Sequence, residues 1–115
     1  MPEMSLEEQA LRHADEFFTG PENWFRGDVG GPGGSKCLGM AILDALRVNG
    51  NPGARFGPDV DKITGIWVTS NWNDNICPSF AALKAKLQER IEYYQKQRLS
   101  QSYIVIIGPG RQVRG

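Results

Sequence analysis

The sequence predicts a mainly α, small single-domain fold, and three observations carry that expectation. Apolar residues recur at helical spacing in three separate stretches, each opened by a residue able to cap a helix. Between the first two lies a glycine-rich stretch that can propagate neither helix nor strand. The length of 115 residues, 40% of them hydrophobic, suffices for one core and not for two ordinary ones. The expected organisation is a helical domain over residues 1–101 with a long Gly-rich loop. Residues 102–115 are expected to form a C-terminal strand and tail, leaving room for one or two short strands at that end.

Taken in order, Ser5 and Glu8 stand at the spacing of a capping box, and Ala10, Leu11, Ala14, Phe17 and Phe18 follow on one face until Gly20-Pro21 stops the run. This predicts a helix over about 6–18. Residues 20–35 hold six glycines and two prolines and form the loop, which Trp24 and Phe25 should pin to the core. Ser35 is the expected N-cap of a second helix carrying Leu38, Ala41, Ile42, Ala45 and Leu46 and ending at Asn49-Gly50.

Residues 58–69 fit two patterns. Val60, Ile63, Thr64 and Trp67 make a helical face, whereas the run ITGIWVT has the β-branched and aromatic content of a strand; a short helix is the reading adopted. Ser79 caps the last and longest helix, whose apolar side is Phe80, Leu83, Leu87, Ile91 and Tyr94. The terminal SYIVII is the expected strand. It needs an edge to pair with, either ITGIWV or a second copy of the chain, and the latter would make a homodimer.

Composition excludes several classes. No stretch approaches the ~18 apolar residues of a membrane span, and MPEMSLEEQ lacks the basic start and apolar run of a signal peptide, so a cytoplasmic protein is expected. Two cysteines, Cys37 and Cys77, are too few for a disulfide scaffold and are read as thiols. Net charge is zero, with residues 1–61 at five basic against ten acidic and residues 62–115 at eight against three. The basic groups alternate with Gln and Glu and form no dense block, so nucleic acid is not an expected partner.

Three motifs could carry chemistry. The run GGPGGSKC invites comparison with a phosphate-binding loop. It fails twice, because counting from Gly30 puts Ser35 where the second glycine belongs and Cys37 where the magnesium-binding hydroxyl belongs. A small anion held by glycine amides near Ser35, Lys36 and Cys37 is the weaker remaining reading, and a loop turning tightly about Trp24 is the structural alternative. Cys37, in a first helical turn, would be a nucleophile if the single histidine, His13, reached it as base with Asp74 or Asn73 as orienting group. The third motif, NWNDN at 71–75, offers Trp72, Asn73 and Asp74 to a polar ligand, or else to the amides of the glycine-rich loop, with Asp74 the expected acceptor.

Trp24 before a glycine-rich loop, Cys37-Leu38-Gly39-Met40-Ala41 opening an apolar helix, and Trp72-Asn73-Asp74 shortly before a capped helix resemble a group of small uncharacterised proteins of actinobacteria and their phages. The resemblance covers roughly residues 6–95, and SYIVIIGPGRQVRG lies beyond its usual end. It implies a single domain of unknown function and brings no reaction with it.

The functional expectation is a small non-enzymatic binding protein, of the kind a phage uses to engage a host protein or sequester a small molecule. Ser35, Lys36, Cys37, Trp72, Asn73 and Asp74 are its candidate contacts, and neither metal nor cofactor is expected. The alternative is a small cysteine-dependent hydrolase or transferase built on Cys37, His13 and Asp74.

Overall fold

The computed structural model describes residues 3–27 and 31–107, with the backbone alone for 101–107. Five helices account for most of it: α1 (Leu6–Phe17), α2 (Leu38–Val48), α3 (Pro58–Thr64), α4 (Thr69–Asn71) and α5 (Phe80–Ile107). A π-helical turn, Trp72–Ile76, follows α4 directly. The protein is mainly helical, as its apolar periodicity requires.

Helix α1 lies between α2 and α5 and packs on both, while α3 closes the open side of α2 and α5. The faces that meet are the ones the spacing marks. Ala10, Leu11, Ala14 and Phe18 meet Leu38, Ile42, Ala45 and Leu46, with Leu83, Leu87 and Ile91 of α5 and Val60 and Ile63 of α3 completing one core. Small alanines on the facing sides of α1 and α2 let the two backbones approach, so their larger aliphatic side chains pack into one cluster.

Helix ends are closed by side chains. Ser5 accepts from the Glu8 amide at 3.1 Å, but only that half of the capping box forms. The Glu8 carboxylate, fully buried, instead receives Arg12 at 2.9 Å and both Nε and Nη2 of Arg98 at 3.1 Å, tying α1 to the far part of α5. At the other end of α1, Lys84 donates to the carbonyls of Asp15 and Phe18 at 2.7 and 2.9 Å, supplying a cation where the dipole favours one. Ser79 caps α5 by accepting from the Ala82 amide at 3.1 Å.

Two expectations are corrected. Ser35 is not the N-cap of α2: its hydroxyl donates to the Pro32 carbonyl, and Cys37 takes the cap position two residues later, its sulfur accepting from the Met40 amide at 3.3 Å. The intervening Lys36 is held extended by backbone bonds to Asn23 and Phe25, and this delays the helix.

The C-terminal strand is also absent, since α5 runs on through residues 102–107. A strand needs an edge, and ITGIWV offers none, being the end of α3 and the turn after it. Among the described residues the one β pairing is an isolated bridge between Trp24 and Lys36. Extending a formed helix costs a few tenths of a kcal/mol per β-branched residue and gains a backbone bond each time, so propagation wins over local β preference. The expected tail, 108–115, lies outside the described residues.

Candidate functional site

The candidate residues converge where the glycine-rich loop, the start of α2 and the π-turn meet, and Asn73 organises the junction. Its side chain is fully buried and uses its whole bonding capacity. Oδ1 accepts from Trp24 Nε1 at 2.6 Å and from the Leu38 amide at 3.0 Å. Nδ2 donates to the Phe25 carbonyl at 3.0 Å and to Asp74 Oδ1 at 2.8 Å. One amide therefore fixes both ends of the loop and pairs a first-turn N–H of α2, a group that has no partner within its own helix.

Two glycines of the loop close on an aromatic ring. Gly27 and Gly31 lie so close to Phe25 that a Cβ at either position would overlap it. The glycines thus serve close approach to a side chain. Trp24 and Trp72 are half-buried and pack against the core, Trp24 near Phe80 at 6.4 Å between ring centroids and with the Arg26 guanidinium 4.5 Å above its ring.

Asp74, the expected acceptor for loop amides, takes its bond from Asn73, which makes the loop contacts in its place. Both residues lie in the π-turn, whose closing bond runs from the Cys77 amide to the Trp72 carbonyl at 2.7 Å, one residue wider than an α-turn, and within it Asn73 is buried and Asp74 half-buried. Lys36 is drawn away from the α2 terminus to Asp44, at 2.8 Å, with its ammonium 4.8 Å from the Phe17 ring.

Cys37 and Cys77 are buried and not bridged to each other. Burial pushes the Cys37 thiol above its ordinary range; the Met40 amide opposes that shift and the neighbouring Asp74 carboxylate adds to it. His13 is not near. It is exposed beside Asn49, whose amide lies 3.0 Å from Nδ1, at the C-cap of α2, whereas Cys37 is the N-cap. The eleven residues of α2 between those caps put Cys37 and Asn49 roughly 18 Å apart along the helix at 1.5 Å per residue, with His13 at the Asn49 end. The structure brings Cys37, Asn73 and Asp74 together and leaves the only imidazole at the other end of a helix. Among the described residues no group of three His, Cys, Asp or Glu side chains could hold a metal ion, and no helix is long and apolar enough to cross a membrane.

Sequence reasoning missed Trp67. Placed on a helical face by spacing, it is instead 93% exposed, because Gly65 ends α3 in the left-handed conformation (φ +70°) and turns the chain outward. Val68 beside it is 43% exposed. The Thr64-Gly65 pair was the available signal, since a glycine after the last periodic residue marks a helix end.

No family model, curated protein or solved structure matches this chain. The resemblance carried by Trp24, the cysteine helix and Trp72-Asn73-Asp74 gains nothing from these comparisons.

Proposed function

We propose that this chain is a small non-enzymatic binding protein that docks on a protein partner through the turn Ile66-Trp67-Val68. The exposure of Trp67 carries the proposal. A tryptophan buries 150–250 Å² when covered, on the order of 5 kcal/mol of gross apolar stabilisation at ~25 cal/mol per Å², and is enriched among the residues that dominate protein interfaces. Here that area is left in solvent by a helix end that fixes the ring outside the core. The residues expected to do chemistry support the same view, being occupied in holding the loop or lying far apart.

Panning a displayed random-peptide library on the immobilised chain tests this. Enriched peptides should share a large apolar residue and bind Trp67→Ala at least tenfold more weakly, about 1.4 kcal/mol, while the variant melts at the wild-type temperature. Peptides that bind the variant as tightly as the wild type would refute the docking surface.

A further inference from the structure

We infer that the segment docking at Trp67 carries an acidic side chain two or three positions from its apolar anchor, read by Arg90 in a trough that leads away from Trp67 along α5; this rests on the docking role of Trp67 proposed above.

Adjoining depressions make the trough. One, beside Ile66 and Trp67, shares Lys62 with a cavity of about 420 Å³ between the start of α1, the end of α3 and α5. That cavity shares Tyr93 and Gln97 with a third depression, at Lys96 and Ser100. From Arg90 to Ser100 the wall runs roughly 15 Å along α5, room for four or five residues of extended chain at ~3.3 Å each.

Arg90 is the fixed charge in it. Its Nε donates to the Ile63 carbonyl at 2.8 Å, and its guanidinium lies 4.4 Å from the Tyr93 ring centroid and 5.6 Å from that of Tyr94. No carboxylate pairs with it among the described residues. A pre-positioned planar guanidinium suits bidentate contact with a carboxylate. Arg90 also passes beneath Gly65, where a Cβ would come within 2.8 Å of Cζ, and Gly65 is two residues from Trp67. Two residues of extended chain span at most ~7 Å, which sets the spacing between anchor and acid.

The remaining charges define the partner further. Lys62 is 71% exposed and only loosely engaged by Glu7 at 3.6 Å, and Lys96 is exposed with no ion pair among the described residues. Arg98 is committed to the buried Glu8. Glu3, Glu7 and Asp61 line the same trough, so a polyanion would meet three carboxylates along its path. A peptide with one or two acids can avoid them. The tyrosine and tryptophan walls are those of a peptide-reading surface.

The test uses the full chain and the peptides enriched by panning, made as fluorescent synthetic octamers. The expected result is a Glu or Asp two or three positions from the apolar residue, with at least a tenfold loss of anisotropy-measured affinity when that acid becomes Gln or Asn in the peptide. Because this change is made in the ligand, it reads the contact even if Arg90→Gln fails to fold; Lys62→Gln should weaken the same peptides two- to fivefold. Enriched peptides without an acid at that spacing, or amide versions that bind equally well, would overturn this inference and leave docking at Trp67 standing. Failure to enrich any peptide sensitive to Trp67→Ala would overturn both. A labelled single-stranded oligothymidylate that displaces the peptides and loses its own affinity in the Lys62→Gln variant would also overturn it, by assigning the trough to nucleic acid.

Discussion

Replacing Asn73 by alanine removes four hydrogen bonds at once, and their environments set the loss. The Leu38 amide belongs to a fully buried residue in the first turn of α2 and has no helical partner to fall back on. Leaving it unpaired costs about 1–3 kcal/mol, and the indole N–H of half-buried Trp24 adds about 1 kcal/mol. The Phe25 carbonyl and the Asp74 carboxylate lie on half-buried residues that water can reach, so they add little. The expected total is about 3 kcal/mol, a large fraction of the 5–15 kcal/mol typical of a domain. At roughly 4 °C per kcal/mol for a chain of this size, the melting temperature should fall by about 12 °C. Urea unfolding followed by circular dichroism should show a lower midpoint at unchanged slope. Asn73→Asp keeps both acceptor contacts but loses the donors and sets a second carboxylate against Asp74. It should be as damaging at pH 7 and partly recover in acid, where the introduced carboxyl protonates. The keystone role would be refuted by Asn73→Ala losing less than about 1 kcal/mol, or by no coupling between Asn73→Ala and Trp24→Phe in a double-mutant cycle.

Two further outcomes follow from perturbed groups. Iodoacetamide at pH 8 should leave Cys37 unlabelled in the native protein and modify it at the rate of unfolding, because burial raises its thiol and shields it; rapid native labelling would return Cys37 to the list of nucleophiles. The Glu8 carboxyl is held below its ordinary value, chiefly by its bonds to Arg98 against the opposing effect of burial, with Arg12 adding to the lowering. A depressed folded-state value stabilises the fold fully above the unfolded value near 4.3 and loses that contribution as pH falls through the folded one. The stability gap between wild type and Glu8→Gln should therefore be widest at neutral pH and narrow below about pH 4; a gap independent of pH would show that the carboxylate charge contributes nothing.

Much of the fold was legible because periodicity reports which residues share a face. The stripes Ala10-Leu11-Ala14, Leu38-Ala41-Ile42-Ala45 and Leu83-Leu87-Ile91 are the ones that meet in the core. What stayed hidden depended on phase or on distant contacts. Trp67 has the spacing of a buried residue, and one left-handed glycine reverses its fate. In NWNDN the inward residue is Asn73, inside a π-turn that no local pattern announces, and its partners Trp24, Phe25 and Leu38 are distant in sequence. SYIVII has strand composition, yet a strand is a property of two segments and the second does not exist among the described residues. Glu8 looked like half of a capping box and is the buried anion between two arginines, one of them Arg98, 90 residues away.

The glycine-rich run resembles a phosphate cradle for a physical reason, since an anion and an aromatic ring both demand backbone without Cβ atoms close by. What the backbone faces decides between them. Gly27 and Gly31 face the Phe25 ring, and at the start of α2 the Leu38 amide is taken by Asn73 and the Met40 amide by the Cys37 sulfur, so these two helix-terminal donors are already in use. Separating Trp24, Phe25 and Leu38 to admit a ligand between them would break the bonds of a single buried amide. The docking surface proposed above lies elsewhere, at Trp67 and at Arg90, the latter ten residues and about 15 Å along α5 from the Phe80 ring that packs on Trp24. Binding there would leave the Asn73 junction intact, so Trp67→Ala should weaken docking at least tenfold at full stability while Asn73→Ala lowers stability and spares the affinity of whatever remains folded.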